Sequence, residues 1–188
     1  MDKTVSLPLD VVIMAAGKGT RMRSTLPKVL HRLGGKPLLE HVIDAAAQLN
    51  ARSAVVITGH ESKVVQNAID LIAINAINTP AKGVFDAYKK INSVLQEPQL
   101  GTGHAVLQTV PVLPDDGMVL VLSGDVPLTQ VDTLQDLIDK SDGDKLALLT
   151  IDFDNPAGYG RVVRQGDKVA AIVEQKDAND AQKAIKEV

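Results

Sequence analysis

Residues 9–28 read LDVVIMAAGKGTRMRSTLPK and decide the fold of this 188-residue chain. The apolar run Leu9–Met14 is followed by small residues, by glycines and then by basic side chains. A nearly continuous apolar run is typical of a parallel strand covered on both faces. Glycines directly after such a strand let the backbone approach a ligand, and N–H groups there favour anions. The segment therefore predicts an open α/β sheet with a ligand site at the carboxyl end of its first strand.

The rest of the chain alternates apolar runs with segments of helical period, which predicts parallel strands joined by crossover helices. Further strands are predicted at Ala54–Thr58, Ile91–Leu95, Met118–Ser123 and Leu146–Ile151. Helices are predicted at 37–49, with Pro37 in the first turn, and at Glu61–Ile69, Gly103–Val110, Val131–Asp139 and Asp180–Lys186. A hairpin is predicted over Arg161–Gln165 and Lys168–Glu174. The predicted fold class is thus α/β, a Rossmann-like, mostly parallel sheet flanked by helices, with a small β-hairpin extension.

Residues 70–90 fit this alternation poorly, because they combine aliphatic runs with a proline where a short connection is expected. The sequence leaves open whether they form an extra helix or strand at the sheet edge, or a mobile insertion.

Composition excludes several classes of function. Aromatic residues make up 2% of the chain and the net charge is −3, which disfavours stacking on single-stranded nucleic acid and binding to duplex DNA or anionic lipid. The absence of cysteine excludes disulfides, thiolate zinc sites and cysteine nucleophiles. The four histidines share no metal-ligand spacing. Without an apolar run of about twenty residues or a signal-peptide core, a soluble, cytoplasmic protein is expected.

The loop after the first strand carries the chemistry. Arg21 and Lys28 add two cations to the glycine-rich turn, which matches a polyphosphate. A Rossmann fingerprint would need a third glycine where Met22 stands, and a Walker A loop would need Ser or Thr where Gly19 stands. A tight turn without a ligand explains the glycines but not the two cations.

Residues 14–28 also resemble the signature of sugar nucleotidyltransferases, L-A-A-G-x-G-T-R-M-x-x-x-x-P-K. Four further segments occur in the same order as in that group: QEPQLGTGHA (96–105), GDVPL (124–128), GYGR (158–161) and IVEQKDA (172–178). Together they resemble the uridylyltransferase domain of the bacterial bifunctional N-acetylglucosamine-1-phosphate uridylyltransferase/glucosamine-1-phosphate acetyltransferase family. The resemblance covers nearly the whole chain except residues 70–90.

The resemblance implies a role for each matching residue. Met14, Ala15, Ala16 and Gly17 would contact the uridine and ribose through backbone atoms, and Lys28 the phosphates. Gln96, Gly101 and Thr102 would recognise the uracil, with Gln99 beside them. Ser123, Gly124 and Asp125 would complete the nucleotide site, and Gly160 and Glu174 would hold the amino sugar.

Asp125 is the predicted metal ligand. It follows a predicted strand and therefore lies at the same edge as the phosphate loop, where one carboxylate suits a Mg²⁺ that is also bound to substrate phosphates. A turn-capping aspartate is the alternative interpretation. The resemblance implies Mg²⁺-dependent transfer of UMP from UTP to N-acetylglucosamine 1-phosphate, with Arg21 and Lys28 as catalytic residues. The product would be UDP-N-acetylglucosamine, a precursor of bacterial envelope polymers such as peptidoglycan and lipopolysaccharide.

The sequence also departs from that family. The chain ends at Val188, before an Asn-Thr-Gly segment and a second Mg²⁺ ligand of the family. Residues 1–188 include no counterpart of the acetyltransferase β-helix that forms the family's trimer, so a trimer is not expected, and Ser123 stands where a tyrosine is usual. We therefore expect residues 1–188 to be an incomplete nucleotidyltransferase domain with an insertion at 70–90 and weak transfer activity. Another sugar-phosphate nucleotidyltransferase, a molybdopterin nucleotidyltransferase or a non-catalytic nucleotide-binding module are the alternatives.

Overall fold

The computed structural model describes residues 7–17, 19, 22–77 and 91–188. Arg21, one of the two predicted catalytic residues, and residues 78–90 of the predicted insertion lie outside this part of the chain. The chain divides into two compact units, Met1–Lys145 and Leu146–Val188. Within the described ranges, no helix has both the length and the apolar character that a membrane span requires.

The first unit contains the parallel sheet that the sequence predicts. Its elements are β1 (Leu9–Met14), β2 (Arg32–Leu33), β3 (Lys36–Pro37), α1 (Leu38–Ala47), β4 (Ser53–Thr58), α2 (Ser62–Ile77), β5 (Ile91–Leu95), α3 (Thr102–Leu107), β6 (Met118–Ser123) and α4 (Val131–Ser141). Four strands pair in the order β5-β4-β1-β6, and every pair is parallel. The predicted α/β fold class is confirmed.

Strand β1 lies at the centre of the core. Val11 and Ile13 face the larger apolar cluster, which α1, α2 and α4 cover, and Val12 packs on the opposite face with Ile57 and Ala105. Because both faces are buried, β1 needs apolar residues at successive positions. Strand β6 differs from this expectation, since Val119 and Val121 on one of its faces are 46% and 41% exposed.

The helices begin and end differently from the prediction at several points. Helix α2 continues to Ile77 instead of ending at Ile69, so the start of the 70–90 segment is helical. Pro37 precedes α1 as its N-cap, with an extended ψ of 146°, and belongs to β3. The short β2–β3 hairpin was not predicted; it turns at Gly34 and Gly35, whose φ angles of 58° and 87° favour glycine.

A charged cluster holds the amino edge of the sheet, opposite the predicted ligand edge. Asp10 is 1% exposed and accepts hydrogen bonds from Arg52 Nη2 at 2.5 Å and from Ser53 Oγ at 2.6 Å. Arg52 Nη1 also donates to Asp116, at 2.6 Å. The cluster joins the start of β1 to the segments that lead into β4 and β6.

The second unit contains the predicted hairpin, formed by the antiparallel strands β7 (Arg161–Gln165) and β8 (Lys168–Val173), and the short helix α5 (Asp180–Lys183). The prediction of a strand at Leu146–Ile151 is wrong. Ile151 instead exchanges backbone hydrogen bonds of 3.1 and 3.0 Å with Val188. The predicted last helix ends at Lys183 and not at Lys186, and beyond it the Lys186 carbonyl accepts a hydrogen bond from the Phe153 N–H at 3.1 Å.

Candidate active site

The predicted nucleotide residues of the first unit lie at the carboxyl ends of its parallel strands. Met14, the last residue of β1, pairs in register with Ile57 of β4 and with Ser123 of β6. The pairing continues past the strands, since the Ala15 N–H donates to Ile57 O at 2.9 Å and the Gly124 N–H to Met14 O at 3.0 Å. The first loop and the Ser123–Asp125 turn are therefore neighbours.

The loop after β1 changes from buried to open within a few residues. Ala15 and Ala16 are buried, whereas Gly17 is exposed and a Cβ placed on it meets no atom of the described residues within 4 Å. Gly19 has a φ of 57°, and a Cβ placed there lies 2.9 Å from the Lys28 Cβ. The loop therefore needs glycine at Gly19 both for its conformation and for its contact with Lys28.

Lys28 and Asp125, 97 residues apart in the sequence, form an ion pair in which Lys28 Nζ lies 2.5 Å from Asp125 Oδ2. Lys28 starts a short 3₁₀ turn (Lys28–Leu30), and Asp125 follows β6 in a turn closed by the Val126 N–H on the Ser123 carbonyl at 3.1 Å. An ammonium group has three donors, and one of them is directed at Asp125. The structure thus brings together the predicted phosphate ligand and the predicted metal ligand.

The predicted base-recognition segment begins where β5 ends. Gln96 is buried; its N–H donates to the Thr58 carbonyl at 2.8 Å, and its side-chain amide donates to the Gly101 carbonyl at 2.9 Å. Gln96 Nε2 also lies 3.3 Å from His104 Nδ1. Gly101 has a φ of 99° and precedes Thr102, the exposed first residue of α3. Gln96 thus fixes the turn that presents Gly101 and Thr102.

Gln99 links this segment to the first loop, because its side-chain Nε2 donates to the Ala16 carbonyl at 2.5 Å. The contact spans 83 residues of sequence. Of the residues predicted to contact the nucleotide, all but Arg21 are described, and they share one edge of the sheet in the first unit.

In the second unit, Gly160 and Glu174 flank the open end of the hairpin, where Arg161 pairs with Val173. The Arg161 side chain is buried, and its Nη2 donates to Gln175 Oε1 at 2.8 Å. The Gly158 N–H donates to the same oxygen at 3.2 Å. Arg161 and Gln175 therefore hold the loop that carries Gly160 beside the exposed Glu174.

The donor set decides which metal could bind. The described residues contain no group of three or more histidine, aspartate or glutamate side chains that could hold an ion. Asp125, a half-buried carboxylate beside the open loop, fits a Mg²⁺ ion that takes its other oxygens from phosphates and water. It does not fit a zinc site, which needs three or four protein ligands.

Gly59, which follows β4, is a residue that the sequence alone does not single out. A Cβ placed on Gly59 would lie 2.8 Å from the Ala16 carbonyl oxygen and would overlap Gln99 Nε2. A lone glycine after a strand is an ordinary feature, and only the contact between Gln99 and Ala16 reveals the close approach there.

Comparison with known proteins identifies relatives along almost the entire chain. Residues 11–187 match the family described as the MobA-like NTP transferase domain. The chain is 63% identical over 180 residues to the bifunctional protein GlmU of Albidiferax ferrireducens and 61% identical over 185 residues to that of Polaromonas naphthalenivorans. Each match covers 96% of this chain and 37% of the relative, so the chain spans little more than a third of these proteins. The resemblance found in the sequence is thereby confirmed.

Solved structures show the same fold at lower identity. A UDP-glucose pyrophosphorylase complexed with UDP-glucose is 18% identical with a TM-score of 0.75, over 97% of this chain and 74% of that one. A putative glucose-1-phosphate thymidylyltransferase from Bacillus anthracis is 18% identical with a TM-score of 0.73, over 96% and 68% of the two chains.

Proposed function

The chain belongs to the MobA-like NTP transferase family, and on this premise we propose that it transfers UMP from UTP to N-acetylglucosamine 1-phosphate. The products are UDP-N-acetylglucosamine and pyrophosphate. The observation that carries the proposal is the convergence at one sheet edge of the open loop at Gly17, the Gln96–Thr102 segment and the Lys28–Asp125 pair. These three parts would serve the ribose, the base and the phosphates of one ligand.

The choice of substrates rests on the resemblance and on the relatives. Five ordered motifs resemble those of the uridylyltransferase domain, and relatives 49–63% identical are named bifunctional protein GlmU. The Gln96 amide nitrogen is already engaged with the Gly101 carbonyl and faces His104 Nδ1, so its side chain has only an acceptor oxygen to offer, and its assignment to the uracil rests on the resemblance. Membership of the family alone would allow other nucleotides and other acceptors.

The reaction needs no protein nucleophile. A phosphate oxygen of the sugar 1-phosphate, ionised at neutral pH, attacks the α-phosphorus of UTP. A new P–O bond forms while the bond to the bridging oxygen breaks, and pyrophosphate leaves with that electron pair. Catalysis then consists of holding two polyanions together and offsetting their charge.

Lys28 supplies this charge from the protein. Its ammonium group can hold a phosphate oxygen with a second donor while it remains on Asp125. Bound Mg²⁺ would lower the repulsion between the phosphates, and Asp125 is the residue that would hold it. Arg21 stays a predicted second cation.

Nucleotide selection and turnover test the proposal together. We expect UTP with MgCl₂ to raise the melting temperature of the chain by mass action, and GTP to leave it unchanged. Pyrophosphate release is expected only when N-acetylglucosamine 1-phosphate is also present. A chain that is stabilised by UTP without releasing pyrophosphate would be a binding module, and equal stabilisation by GTP would contradict the proposed base.

Asp125→Ala is the decisive variant for the phosphate centre. In a complete version of this domain we expect turnover to fall about 10²–10⁴-fold, because a lost metal ligand costs about 3–5 kcal/mol of transition-state stabilisation. Asp136→Ala, a change at an exposed aspartate of α4, is the matched control and should keep the wild-type rate. Wild-type turnover in Asp125→Ala would remove Asp125 from the metal role.

A further inference from the structure

The side chain of Gln99 crosses the end of a strand to reach its partner. Gln99 lies beyond β5, whereas the Ala16 carbonyl that accepts its hydrogen bond lies beyond β1. Strand β4 runs between these two strands in the sheet and ends next to Gly59. The hydrogen bond therefore passes over Gly59. It links the segments that follow β5 and β1, the strands on either side of β4.

Gly59 makes this crossing possible because it has no side chain. A Cβ at this position would overlap Gln99 Nε2 and would lie 2.8 Å from the Ala16 carbonyl oxygen and 2.9 Å from the Ala16 Cβ. The φ angle of Gly59 lies outside the left-handed region, so its backbone conformation would accept other residues. Glycine is therefore required here because there is no room for a Cβ, and not because of the backbone conformation.

The hydrogen bond from Gln99 controls the direction of a neighbouring donor. In a planar trans peptide, the carbonyl of one residue and the N–H of the next point in opposite directions. Holding the Ala16 carbonyl towards Gln99 therefore holds the Gly17 N–H away from it. Gly17 is exposed, and none of the described residues lies within 4 Å of where its Cβ would be; the proposed nucleotide would lie on this side.

We propose that Gly59 and Gln99 are positioning residues for nucleotide binding: Gln99, passing over Gly59, fixes the Ala16–Gly17 peptide and couples the base segment to the phosphate loop. This inference rests on the proposed function, because it assumes that the loop binds a nucleotide. Gly59 contributes by having no side chain, which leaves room for Gln99 to reach the Ala16 carbonyl.

Isothermal titration of UTP in MgCl₂ tests the coupling with Gln99→Glu, Gly59→Ala and the double variant. The Gln99→Glu change keeps the shape of the side chain but places a carboxylate oxygen against the Ala16 carbonyl, and the Gly59→Ala change displaces the Gln99 amide. We expect each single change to raise the Kd for UTP about tenfold, the effect of one lost hydrogen bond. Because both changes break the same contact, the loss in the double variant should be clearly smaller than the sum of the two single losses, with a remainder from Gly59→Ala because its Cβ also approaches the Ala16 carbonyl oxygen.

Two control variants distinguish an effect on UTP binding from a general loss of stability. Gly117→Ala places a Cβ 2.5 Å from the Pro8 carbonyl, at the amino end of the sheet, and should lower the melting temperature while keeping the Kd for UTP. Gln48→Glu breaks a similar amide-to-carbonyl hydrogen bond on α1 and should also keep the Kd. If Gly59→Ala does not fold, Gln99→Met, which removes the same donor without placing a charge beside the nucleotide, decides the question together with Gln99→Glu.

The possible results are distinct. A wild-type chain that binds no UTP would overturn the proposed function and this inference with it. A wild-type chain that binds UTP, with unchanged affinity in Gln99→Glu, would overturn the inference alone. Additive losses in the double variant would also overturn it, because Gly59 and Gln99 would then act separately.

Discussion

At the scale of single residues, the ion pairs at the two edges of the sheet differ in what they contribute. Lys28 and Asp125 remain 41% and 30% exposed, and ion pairs in such surroundings contribute about 0–1 kcal/mol to stability. Asp10 is 1% exposed and would be a buried charge without Arg52. A ligand can therefore separate Lys28 from Asp125 with little loss of folding stability, whereas separating Arg52 from Asp10 would destabilise the fold.

Lys28→Ala should therefore affect binding far more than folding. We expect its free energy of unfolding, measured with urea, to fall by less than about 1 kcal/mol. Its Kd for UTP should rise at least about tenfold, since a charge-assisted contact to phosphate is lost. Lys36→Ala removes an exposed lysine that pairs with Asp44 and Glu40 on α1, and it should leave the Kd unchanged. Equal effects of the two lysines on UTP affinity would exclude Lys28 from the phosphate site.

At the scale of elements, the amino-edge cluster fixes how β1, β4 and β6 start. Burial raises the pKa of Asp10, but hydrogen bonds from Arg52 and Ser53 and the charge of Arg52 outweigh it, so the pKa lies below its ordinary value. A carboxyl group whose pKa is lower in the folded state stabilises the fold fully above its unfolded pKa of about 4. That contribution is lost as the pH falls through the folded value.

In the Arg52→Ala variant, the contribution of Asp10 to folding stability should change with pH in the opposite direction. Without Arg52 the buried Asp10 carboxylate loses its counter-ion, and we expect a loss of about 3 kcal/mol of stability at pH 7. Burial would then raise the pKa of Asp10, so that protonation relieves the variant as the pH falls. The gap in unfolding free energy between wild type and variant should narrow from pH 7 towards pH 4, as measured by urea unfolding at each pH. A gap that stays constant or widens over this range would contradict the assigned role of Asp10.

The helices and strands show how far the sequence predicts the structure. Strands β1, β4 and β6 were predictable from their apolar runs, and β5 from its aliphatic residues despite the polar Asn92 and Ser93 within it. The hairpin β7–β8 was predictable because a Gly166-Asp167 turn separates its strands. Leu146–Ile151 has the same composition as the predicted strands, yet a strand also needs a partner, and composition does not supply one. The β2–β3 hairpin is too short to show a period, although Gly34-Gly35 carried a turn signal.

The candidate site was predictable to a similar extent. Residues such as Asp125 and Gln96 could be placed at one edge because parallel strands align their carboxyl ends. The ion pair between Lys28 and Asp125 and the hydrogen bond between Gln99 and Ala16 depend on side-chain positions that the strand order does not determine. Gly59 could not be singled out, because its requirement arises only from the packing of two other segments against it.

At the scale of the whole molecule, the proposed ligand groups are divided between the two units. The residues assigned to the nucleotide, from Met14 to Asp125, belong to Met1–Lys145, whereas Gly160 and Glu174 belong to Leu146–Val188. In the first unit the strand ends position the nucleotide residues. In the second unit Arg161 and Gln175 hold the loop that carries Gly160. The two substrates should therefore respond to different substitutions.

Glu174→Gln tests this division. We expect it to keep the Kd for UTP within about twofold of the wild type and to raise the KM for N-acetylglucosamine 1-phosphate about tenfold, since a charged acceptor for the sugar is replaced by a neutral one. Glu187→Gln is the matched control. Glu187 accepts two hydrogen bonds from Arg164 and one from Thr150, which together with the charge of Arg164 lower its pKa to about 2. The change should therefore weaken the packing of the second unit without affecting one substrate more than the other. Hydrogen exchange at Val188 and Ile151 reports that weakening. If Glu174→Gln weakens UTP as much as the sugar phosphate, the second unit takes part in nucleotide binding and the division fails.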